Sequence, residues 1–409
     1  MVSNNCRFCN SNLNKIFVDL GDSPLANSYL KESDFHNEKF YPLCIFLCEK
    51  CFLVQLEELQ TPENIFSDYA YFSSFSSSWL KHAKDYVDMI IPTLLLDEHS
   101  LVVEIASNDG YLLQNFTAKK IPVLGIEPAQ NIAITAIKKN ISTLIEFFNS
   151  KLANRLVIEG KTADLIIGNN VFAHVPCLND FVTGLKILLK PNGVITLEFP
   201  HLLQLIQNNQ FDTIYHEHFS YFSLITAKKI FEHHGLKIFN VEELCSHGGS
   251  LRLFITHNEN NMIHETRNVN LILDKEKIFG LTKIDTYNNF LKNINQVKSN
   301  LVNFLEKAKK NSKHTICYGA PAKGNTLLNY CKISKTLIDY TVDKNPSKQG
   351  LFLPGTHIPI FSPEKIIETK PDFILILPWN LQNEIMEEIK FIREWGGKFV
   401  IPIPEVKIL

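Results

Sequence analysis

The stretch from Phe211 to Phe222, FDTIYHEHFSYF, gathers side chains that can move protons or polarise a carbonyl group. It contains His216 and His218, whose rings titrate near neutral pH, together with Glu217 and Tyr215. In an extended backbone alternate side chains share a face, so we expect the two histidines on one side and Tyr215 and Glu217 on the other. The stretch is therefore a candidate for acid–base catalysis. The alternative is a loop whose histidines are only buried and hydrogen-bonded.

The segments that would position this stretch begin at Leu101, where short apolar runs alternate with helical periodicity. The runs predict buried parallel strands, and they are LVVEIA, VLGIE, STLIEF, DLIIGNN and GVITLEF. Helices are predicted from Tyr111, Ala129, Lys151 and Leu178, and LKIFNVEEL and SLRLFITH complete a seven-stranded sheet. Before the sheet we expect a helix from about Trp79 to Ile91, with Pro92 ending or breaking it. The pattern is typical of a doubly wound sheet, which binds ligands beyond the carboxyl ends of its strands.

Polar residues follow the first two of these strands. The first strand contains Glu104 and runs into a turn with Ala106, Asn108 and Gly110, and the second strand ends at Glu127. A carboxylate in that position can accept both hydroxyls of a ribose. The glycine fingerprint of dinucleotide-binding folds is absent, which disfavours a pyrophosphate and favours a nucleoside such as S-adenosylmethionine. The alternative is an ordinary strand-to-helix connection.

The later strand ends supply further candidates. Asn169 and Asn170 end the fourth strand and are predicted to bind the cofactor, while His174 lies on the loop that follows. We assign His174, His201 and Arg252 to substrate binding, although His174 or either asparagine could instead cap the next helix.

Two CxxC pairs near the beginning of the chain predict a metal site. Cys6 and Cys9 form one pair, and Cys48 and Cys51 form the other. Four thiolates fill a tetrahedral coordination sphere, so we expect a structural Zn²⁺ that takes no part in chemistry. Cys44 is left out because YPLCIFL predicts a strand that packs it as a small apolar side chain.

A second α/β unit begins near His314, after charged helical segments. Its first strand runs into the turn GAPAKGNT, in which we assign Gly319, Lys323 and Asn325 to substrate binding. Backbone amides at a helix start, together with a lysine, can hold a phosphate or diphosphate. The order of glycine and lysine does not match a P-loop, and the alternative is an ordinary turn with a solvated lysine.

The composition excludes several classes of function. A chain of 409 residues with 45% hydrophobic and 21% charged residues is typical of a globular protein of two or three domains. A net charge of -2 does not indicate the basic surface that is typical of nucleic-acid-binding proteins. No apolar run is long enough to predict a membrane-spanning helix. The first residues lack a signal-peptide pattern. We therefore expect a cytoplasmic protein without nucleic-acid or membrane partners, either a monomer or a small homo-oligomer.

Together these segments resemble the sugar C-methyltransferases that act on nucleotide-linked ketodeoxyhexoses. The resemblance covers nearly the whole chain and rests on CRFC, PLAN, YPL, CEKC, EIASNDGYLL, GIEPA, EFPH, YHEHFSYF, HGGSLR, YGAPAKGNTLLNYC, VDKNPSKQG and LPGTHIPI. It implies an α/β protein with an N-terminal zinc-binding lobe, a central class I (seven-stranded, Rossmann-like) methyltransferase domain that binds S-adenosylmethionine, and a smaller C-terminal Rossmann-like α/β domain that follows linker helices and helps to hold the nucleotide-sugar. We place these in residues 1–68, 69–265 and 266–409.

The resemblance also implies a reaction. Such enzymes use S-adenosylmethionine to methylate carbon 3 of a nucleotide-linked 4-keto-deoxysugar, carried by dTDP or another nucleoside diphosphate. By its position in the motif, His218 matches the active-site base, with Tyr215 and Glu217 beside it. A tyrosine near the methyl donor is matched by Tyr71, with Tyr69 as second candidate. Ala106 stands where many methyltransferases have glycine.

This chemistry agrees with the residue types themselves. A hydrogen beside a ketone is acidic enough for a histidine base, and Tyr215 or His216 could stabilise the enolate oxygen. Three rival interpretations are a nicotinamide-dependent nucleotide-sugar oxidoreductase or epimerase, a catalytic metal held by His216 and His218, and a non-enzymatic zinc adaptor. The missing glycine fingerprint disfavours the oxidoreductase or epimerase. The lack of an evident third ligand disfavours the catalytic metal. The clustered acid–base groups disfavour the adaptor, which would leave them unexplained.

Overall fold

The computed structural model describes residues 5–66 and 72–409. The chain begins with an antiparallel sheet whose strands are β1 (Lys15–Ser23), β2 (Tyr41–Leu47) and β3 (Val54–Leu56), followed by the short helix α1 (Pro62–Phe66). Cys44 lies in β2 with its side chain half-buried, as the apolar pattern predicted.

The central sheet has seven strands, as predicted. Helix α2 (Ser77–Leu94) precedes it. The chain then forms β4 (Val102–Ile105), α3 (Leu113–Thr117), β5 (Val123–Ile126), α4 (Gln130–Lys138), β6 (Thr143–Leu144), α5 (Ser150–Ile158), β7 (Ala163–Asn169), α6 (Leu178–Leu188), β8 (Leu189–Pro200), α7 (Leu202–Gln207), β9 (Ser220–Tyr221), α8 (Leu224–His233), β10 (Leu236–Leu244) and β11 (Ser250–His257). The strand order is β10-β11-β8-β7-β4-β5-β6. Strands β4 to β8 are parallel, and β11 is antiparallel to both of its neighbours.

The third sheet has six strands and belongs to the C-terminal part of the chain. Its elements are α9 (Arg267–Phe279), α10 (Ile284–Asn288), α11 (Phe290–Lys310), β12 (Thr315–Tyr318), α12 (Ala322–Cys331), β13 (Thr341–Val342), β14 (Ile360–Phe361), α13 (Lys365–Thr369), β15 (Phe373–Ile376), α14 (Gln382–Glu388), β16 (Lys398–Ile401) and β17 (Lys407–Ile408). The order is β14-β13-β12-β15-β16-β17, with the first five strands parallel. The α/β class and the Rossmann-like arrangement are therefore confirmed.

The three sheets are joined by shared packing. Strand β9 pairs with β3, so the central part of the chain contributes a strand to the N-terminal sheet. Phe17 of β1 stacks on Phe290 of α11 with 4.8 Å between ring centroids, and both belong to one continuous core with the C-terminal sheet. The histidine-rich stretch that leads into β9 consequently lies where the three sheets meet.

Two local predictions were wrong. The stretch FDTIYHEHFSYF is not extended: a 3-10 turn covers Phe211–Thr213, and a second turn follows in which His218 N donates to Tyr215 O at 2.9 Å. Pro92 lies inside α2, which continues to Leu94. The proline is tolerated because only the last turn of the helix follows it. The backbone amides of residues 95 and 96 close this turn by donating hydrogen bonds to Ile91 O.

None of the helices in the described parts of the chain is both long enough and apolar enough to cross a lipid bilayer.

Candidate active site

A cavity of about 950 Å³ opens between the central sheet, the histidine-rich stretch and the C-terminal sheet. This volume is at the upper end of the range of roughly 300–1,000 Å³ that is typical of ligand pockets. Its walls contain many of the predicted site residues, which are Ala106, Asn108, Glu127, Asn169, Asn170, His174, Tyr215, His218, Gly319 and Lys323. Tyr71 and Tyr69 lie outside the described residues, so the role of Tyr71 stays a prediction.

Two histidines face each other in this cavity. The rings of His174 and His218 are 4.8 Å apart between centroids. His218 Nδ1 lies 2.7 Å from Thr213 O, and His174 Nδ1 lies 2.7 Å from Glu217 O. A carbonyl oxygen only accepts, so in each ring Nδ1 carries the proton and Nε2 is the basic nitrogen. The backbone therefore sets both histidines in the tautomer that a base requires.

Burial keeps these histidines neutral. It lowers the pKa of His218 well below the ordinary 6.5, and the neighbouring His174 lowers it further. Burial also lowers the pKa of His174 to about 4, although the bond to the Glu217 carbonyl opposes the shift. Both rings are consequently in the neutral form at neutral pH, with Nε2 unprotonated.

The turn at His216 separates the four candidates of the motif. Tyr215 and His218 both line the cavity, with 4.1 Å between ring centroids. His216 instead lies 3.2 Å from Pro42 O of β2, away from the cavity walls. The Glu217 carboxylate accepts from Asn27 Nδ2 at 2.6 Å. The expected pairing of the two histidines on one face is therefore corrected, because an i to i+3 turn brings the ends of the segment together.

The carboxyl ends of β4 and β5 form the opposite wall. Glu127 accepts hydrogen bonds from the amides of Asn108 and Ala129, both at 2.9 Å. Each carboxylate oxygen has more than one lone pair, so the ribose hydroxyls of S-adenosylmethionine fit as further donors. Ala106 has φ 56 and Asn108 has φ 50, which is left-handed backbone that favours glycine or asparagine. A glycine in place of Ala106 would adopt this backbone without strain.

Asn169 and Asn170 complete this wall at the end of β7. Asn170 Oδ1 is buried and accepts no hydrogen bond from the described residues. A buried acceptor without a donor is costly, and a bound polar ligand would satisfy it. The donor and acceptor set of this wall therefore fits S-adenosylmethionine.

Glu104 and Gly110 do not line the cavity. Burial raises the pKa of Glu104 well above its ordinary value, and the carboxylates of Glu127 and Asp109 add to the shift. A Cβ on Gly110, which has φ +77, would lie 2.3 Å from Ile141 Cδ1. This glycine is therefore required by packing, whereas the sequence had suggested close approach of a ligand. Their assignment to the cofactor stays an untested prediction.

Lys323 and Gly319 form the C-terminal wall, at the start of α12. The Lys323 ammonium lies 4.7 Å from the centroid of the Trp379 ring and donates to Asn380 Oδ1 at 2.8 Å. Trp379 Nε1 in turn donates to the buried Asp212 carboxylate at 2.6 Å. Burial raises the pKa of Asp212 to about 6, with Lys323 opposing the rise. A cation is thus held in the wall next to amides that open a helix.

Three predicted substrate ligands are not among the residues that line the cavity. His201 Nε2 lies 2.7 Å from the buried Glu276 carboxylate, and Arg252 NH2 lies 2.9 Å from Glu198. Asn325 Nδ2 donates to Ala26 O at 2.6 Å and so ties α12 to the N-terminal lobe. Each of the three side chains therefore has a partner within the protein. Their predicted contact with the substrate stays a prediction that this geometry does not support.

Sequence reasoning missed several cavity residues. Trp79 and His82 lie on α2 with rings stacked at 4.8 Å, and His247 meets Trp79 edge-on at 5.2 Å. Burial lowers the pKa of His247 to about 4. Asp343 lines the C-terminal side. For His247 and Asp343 a signal existed, because they lie within HGGSLR and VDKNPSKQG, two motifs that carried the family resemblance.

The four predicted cysteines lie together. Among the described residues, Cys6, Cys9, Cys48 and Cys51 are the single group with metal-ligand geometry, and their sulfur atoms lie within 4.8 Å of one another. The Cys6–Cys51 and Cys9–Cys48 sulfur pairs are each 3.5 Å apart. A tetrahedral ion with Zn–S bonds of about 2.3 Å holds its sulfurs about 3.8 Å apart. The cluster therefore fits a closed structural zinc site.

Comparison with known proteins agrees with this arrangement. Residues 6–66 match a putative zinc binding domain, residues 79–241 a methyltransferase domain, and residues 245–404 a C-methyltransferase C-terminal domain. C-methyltransferase NovU from Streptomyces niveus is 35% identical over 406 residues, which cover 99% of this chain and 96% of that protein.

Solved structures also resemble part of the chain. A SAM-dependent methyltransferase from Anabaena variabilis is 19% identical and covers 42% of this chain and 83% of its own, with a TM-score of 0.35. Magnesium protoporphyrin IX methyltransferase from Synechocystis with bound SAM is 15% identical and covers 44% and 81%, with a TM-score of 0.33. From the full-length relative and the three domain matches, the chain belongs to the S-adenosylmethionine-dependent C-methyltransferase family with an N-terminal zinc-binding domain.

Proposed function

We propose that this enzyme methylates the carbon next to the keto group of a nucleotide-linked 4-keto-deoxyhexose, at carbon 3. One observation carries the proposal: the paired rings of His174 and His218 line a single cavity together with Glu127 and Lys323. A sugar attached to a diphosphate could place its ring at the histidines and its charge at the turn.

His218 is the base in this proposal. Its Nε2 is the basic nitrogen, because Nδ1 donates to Thr213 O. A hydrogen beside a ketone becomes acidic when the developing enolate is stabilised. Positioned general bases of this kind contribute roughly 10²- to 10⁴-fold to a rate. His174 increases the preference of His218 for the neutral form, since two adjacent imidazolium ions would repel each other.

Tyr215 is the group best placed to stabilise the enolate oxygen. Its ring lies against His218 and lines the cavity, so its hydroxyl can donate to an oxygen next to the carbon that loses its proton. His216, the other candidate, lies against Pro42. The same geometry disfavours a metal held by His216 and His218.

Lys323 and the start of α12 would hold the diphosphate. The amides that open a helix lack acceptors within the helix, and the ammonium adds positive charge. S-adenosylmethionine supplies the methyl group, and the walls at Glu127 and at the histidines need only hold donor and acceptor carbon at about 3–3.5 Å.

Hydrogen exchange tests the first step without the methyl donor. In D₂O, the purified enzyme should exchange the hydrogen on carbon 3 of a dTDP- or UDP-linked 4-keto-deoxyhexose, followed by ¹H NMR. We expect His218→Gln to slow this exchange by roughly 10²- to 10⁴-fold. His216→Gln should leave it nearly unchanged, because His216 does not line the cavity.

Mass spectrometry tests the second step. With S-adenosylmethionine added, the sugar fragment should gain one methylene mass in the wild type and not in His218→Gln. Exchange at the wild-type rate in His218→Gln would refute the assignment of the base. Exchange at another carbon would refute carbon 3, and no mass gain with any 4-keto sugar would refute the substrate class.

A further inference from the structure

Two carboxylates in the cavity wall are held by the same pattern of hydrogen bonds, although they belong to different domains. Glu127 accepts from the amides of Asn108 and Ala129, each at 2.9 Å. Asp343 accepts from the amide of Ala320 at 2.7 Å and from the amide of Asn345 at 2.8 Å. In both cases one donor is two residues further along the chain, and the other lies in a distant turn.

The two carboxylates also occupy the same place in their folds. Glu127 follows β5, which pairs in parallel with β4, and its distant donor lies in the turn after β4. Asp343 follows β13, which pairs in parallel with β12, and its distant donor lies in the turn after β12. In Rossmann-like units, a carboxylate at the end of the second strand accepts the hydroxyls of a ribose.

Asp343 retains the capacity to accept more hydrogen bonds. Each of its oxygens accepts one backbone amide, and a carboxylate oxygen has lone pairs for more than one donor. Within residues 5–66 and 72–409, no lysine or arginine lies in ion-pair distance of this carboxylate: Lys344 pairs with Glu388 at 2.5 Å, and Lys348 donates to Ala320 O at 2.8 Å. The Asp343 carboxylate is thus held in the cavity wall by two backbone amides, and it can accept further hydrogen bonds from the hydroxyl groups of a ligand.

We propose that Asp343 binds the ribose hydroxyls of the nucleoside diphosphate that carries the sugar substrate. This inference rests on the proposed function, because it assigns the nucleoside end of the same substrate. Asp343 contacts the turn that begins at Gly319, and that turn leads into Lys323. Lys323 and His218 line the same cavity. The cavity wall therefore runs from a ribose acceptor through a cationic turn to the base, in the order of a nucleotide sugar.

Calorimetric titration of the full-length protein tests this assignment through ligand truncation. The probes are UDP and dTDP, each compared with its 2′,3′-dideoxy form. In this form UDP loses two ribose hydroxyls, and dTDP, which is a 2′-deoxynucleotide, loses its single 3′-hydroxyl. For the wild type we expect the loss of the hydroxyls to weaken binding of the preferred nucleotide roughly tenfold or more, since hydrogen bonds to charged groups are the stronger class. In Asp343→Asn the same truncation should change binding less than threefold.

Glu127→Gln is the matched control, because it alters the equivalent carboxylate in the other domain. It should weaken binding of S-adenosylhomocysteine and leave UDP and dTDP unaffected, whereas Asp343→Asn should do the reverse. Unchanged S-adenosylhomocysteine binding by Asp343→Asn also shows that this variant is folded.

The outcomes separate this inference from the function on which it rests. If wild type and Asp343→Asn lose the same factor when the hydroxyls are removed, the ribose assignment is overturned while nucleotide binding stands. If the wild type binds neither UDP nor dTDP, the nucleotide-sugar substrate is refuted and the ribose site with it.

Discussion

Replacing Glu198 by glutamine should destabilise the protein by about 3–5 kcal/mol at pH 7, because the change breaks a buried ion pair. Glu198 is fully buried at the end of β8. Its carboxylate lies 2.9 Å from His82 Nε2, 2.9 Å from Arg252 NH2 and 2.7 Å from Ser246 Oγ. Glutamine keeps the volume but leaves the buried guanidinium of Arg252 with Glu242 as its remaining ion partner among the residues that the structure describes.

The pKa of Glu198 gives a similar magnitude. Burial raises this pKa, but His82 and Arg252 outweigh burial and hold it at about 2, below the ordinary 4.5. One pKa unit corresponds to about 1.4 kcal/mol, so the shift is equivalent to roughly 3 kcal/mol. Because the folded state has the lower pKa, this stabilisation is complete above pH 4.5 and is lost as the pH falls towards 2.

Urea unfolding followed by circular dichroism measures the effect. The difference in free energy of unfolding between wild type and Glu198→Gln should be the same at pH 7 and pH 5.5 and should shrink below pH 4.5. Glu242→Gln is the control: Glu242 binds the same arginine but is partly exposed, so its loss should cost about 1 kcal/mol or less. A cost below 1 kcal/mol for Glu198→Gln at pH 7 would refute the reasoning.

Three further predictions concern the metal, the base and the C-terminal turn. Elemental analysis should find one zinc per chain, because four cysteines form the site. Cys48→Ser should lose the zinc and the protease resistance of the N-terminal lobe, whereas the control Cys44→Ser should keep both. Zinc retained in Cys48→Ser would contradict the four-cysteine site. The acid limb of kcat/KM should lie below pH 6.5, the ordinary pKa of histidine, because burial lowers the pKa of His218 and keeps it neutral as the pH falls; a limb at pH 6.5 or above would contradict this. Gly319→Ala should weaken dTDP binding at least tenfold, because φ at Gly319 is +88 and the new Cβ would lie 2.6 Å from a proline ring. Gly350 also has a positive φ, but a Cβ there would meet no atom within 4 Å. Gly350→Ala is therefore the control and should have little effect in the same titration.

Much of the fold follows from local sequence. The alternation of short apolar runs with helical periods predicted the seven strands of the central sheet. The signal is strongest for its five parallel strands, because parallel strands are buried on both faces and are therefore continuously apolar. The two CxxC pairs predicted the metal cluster for a similar reason, since the spacing within each pair already sets its two sulfurs near one ion. The sequence also predicted that Glu127 faces the cavity, because the topology of a doubly wound sheet places the carboxyl end of its second strand at the ligand-binding edge.

The direction of individual side chains required the tertiary structure. Nothing in YHEH indicates that His216 packs on the N-terminal sheet while His218 faces the cavity, because a turn held by contacts with neighbouring segments decides this. Arg252 also looked like a ligand by type and place, yet long-range packing gave it a buried protein partner. Sequence by itself determined the elements, the metal ligands and the strand ends that face a ligand. Only the tertiary structure decided which polar side chains share the cavity, since burial and pairing depend on residues far apart in the chain.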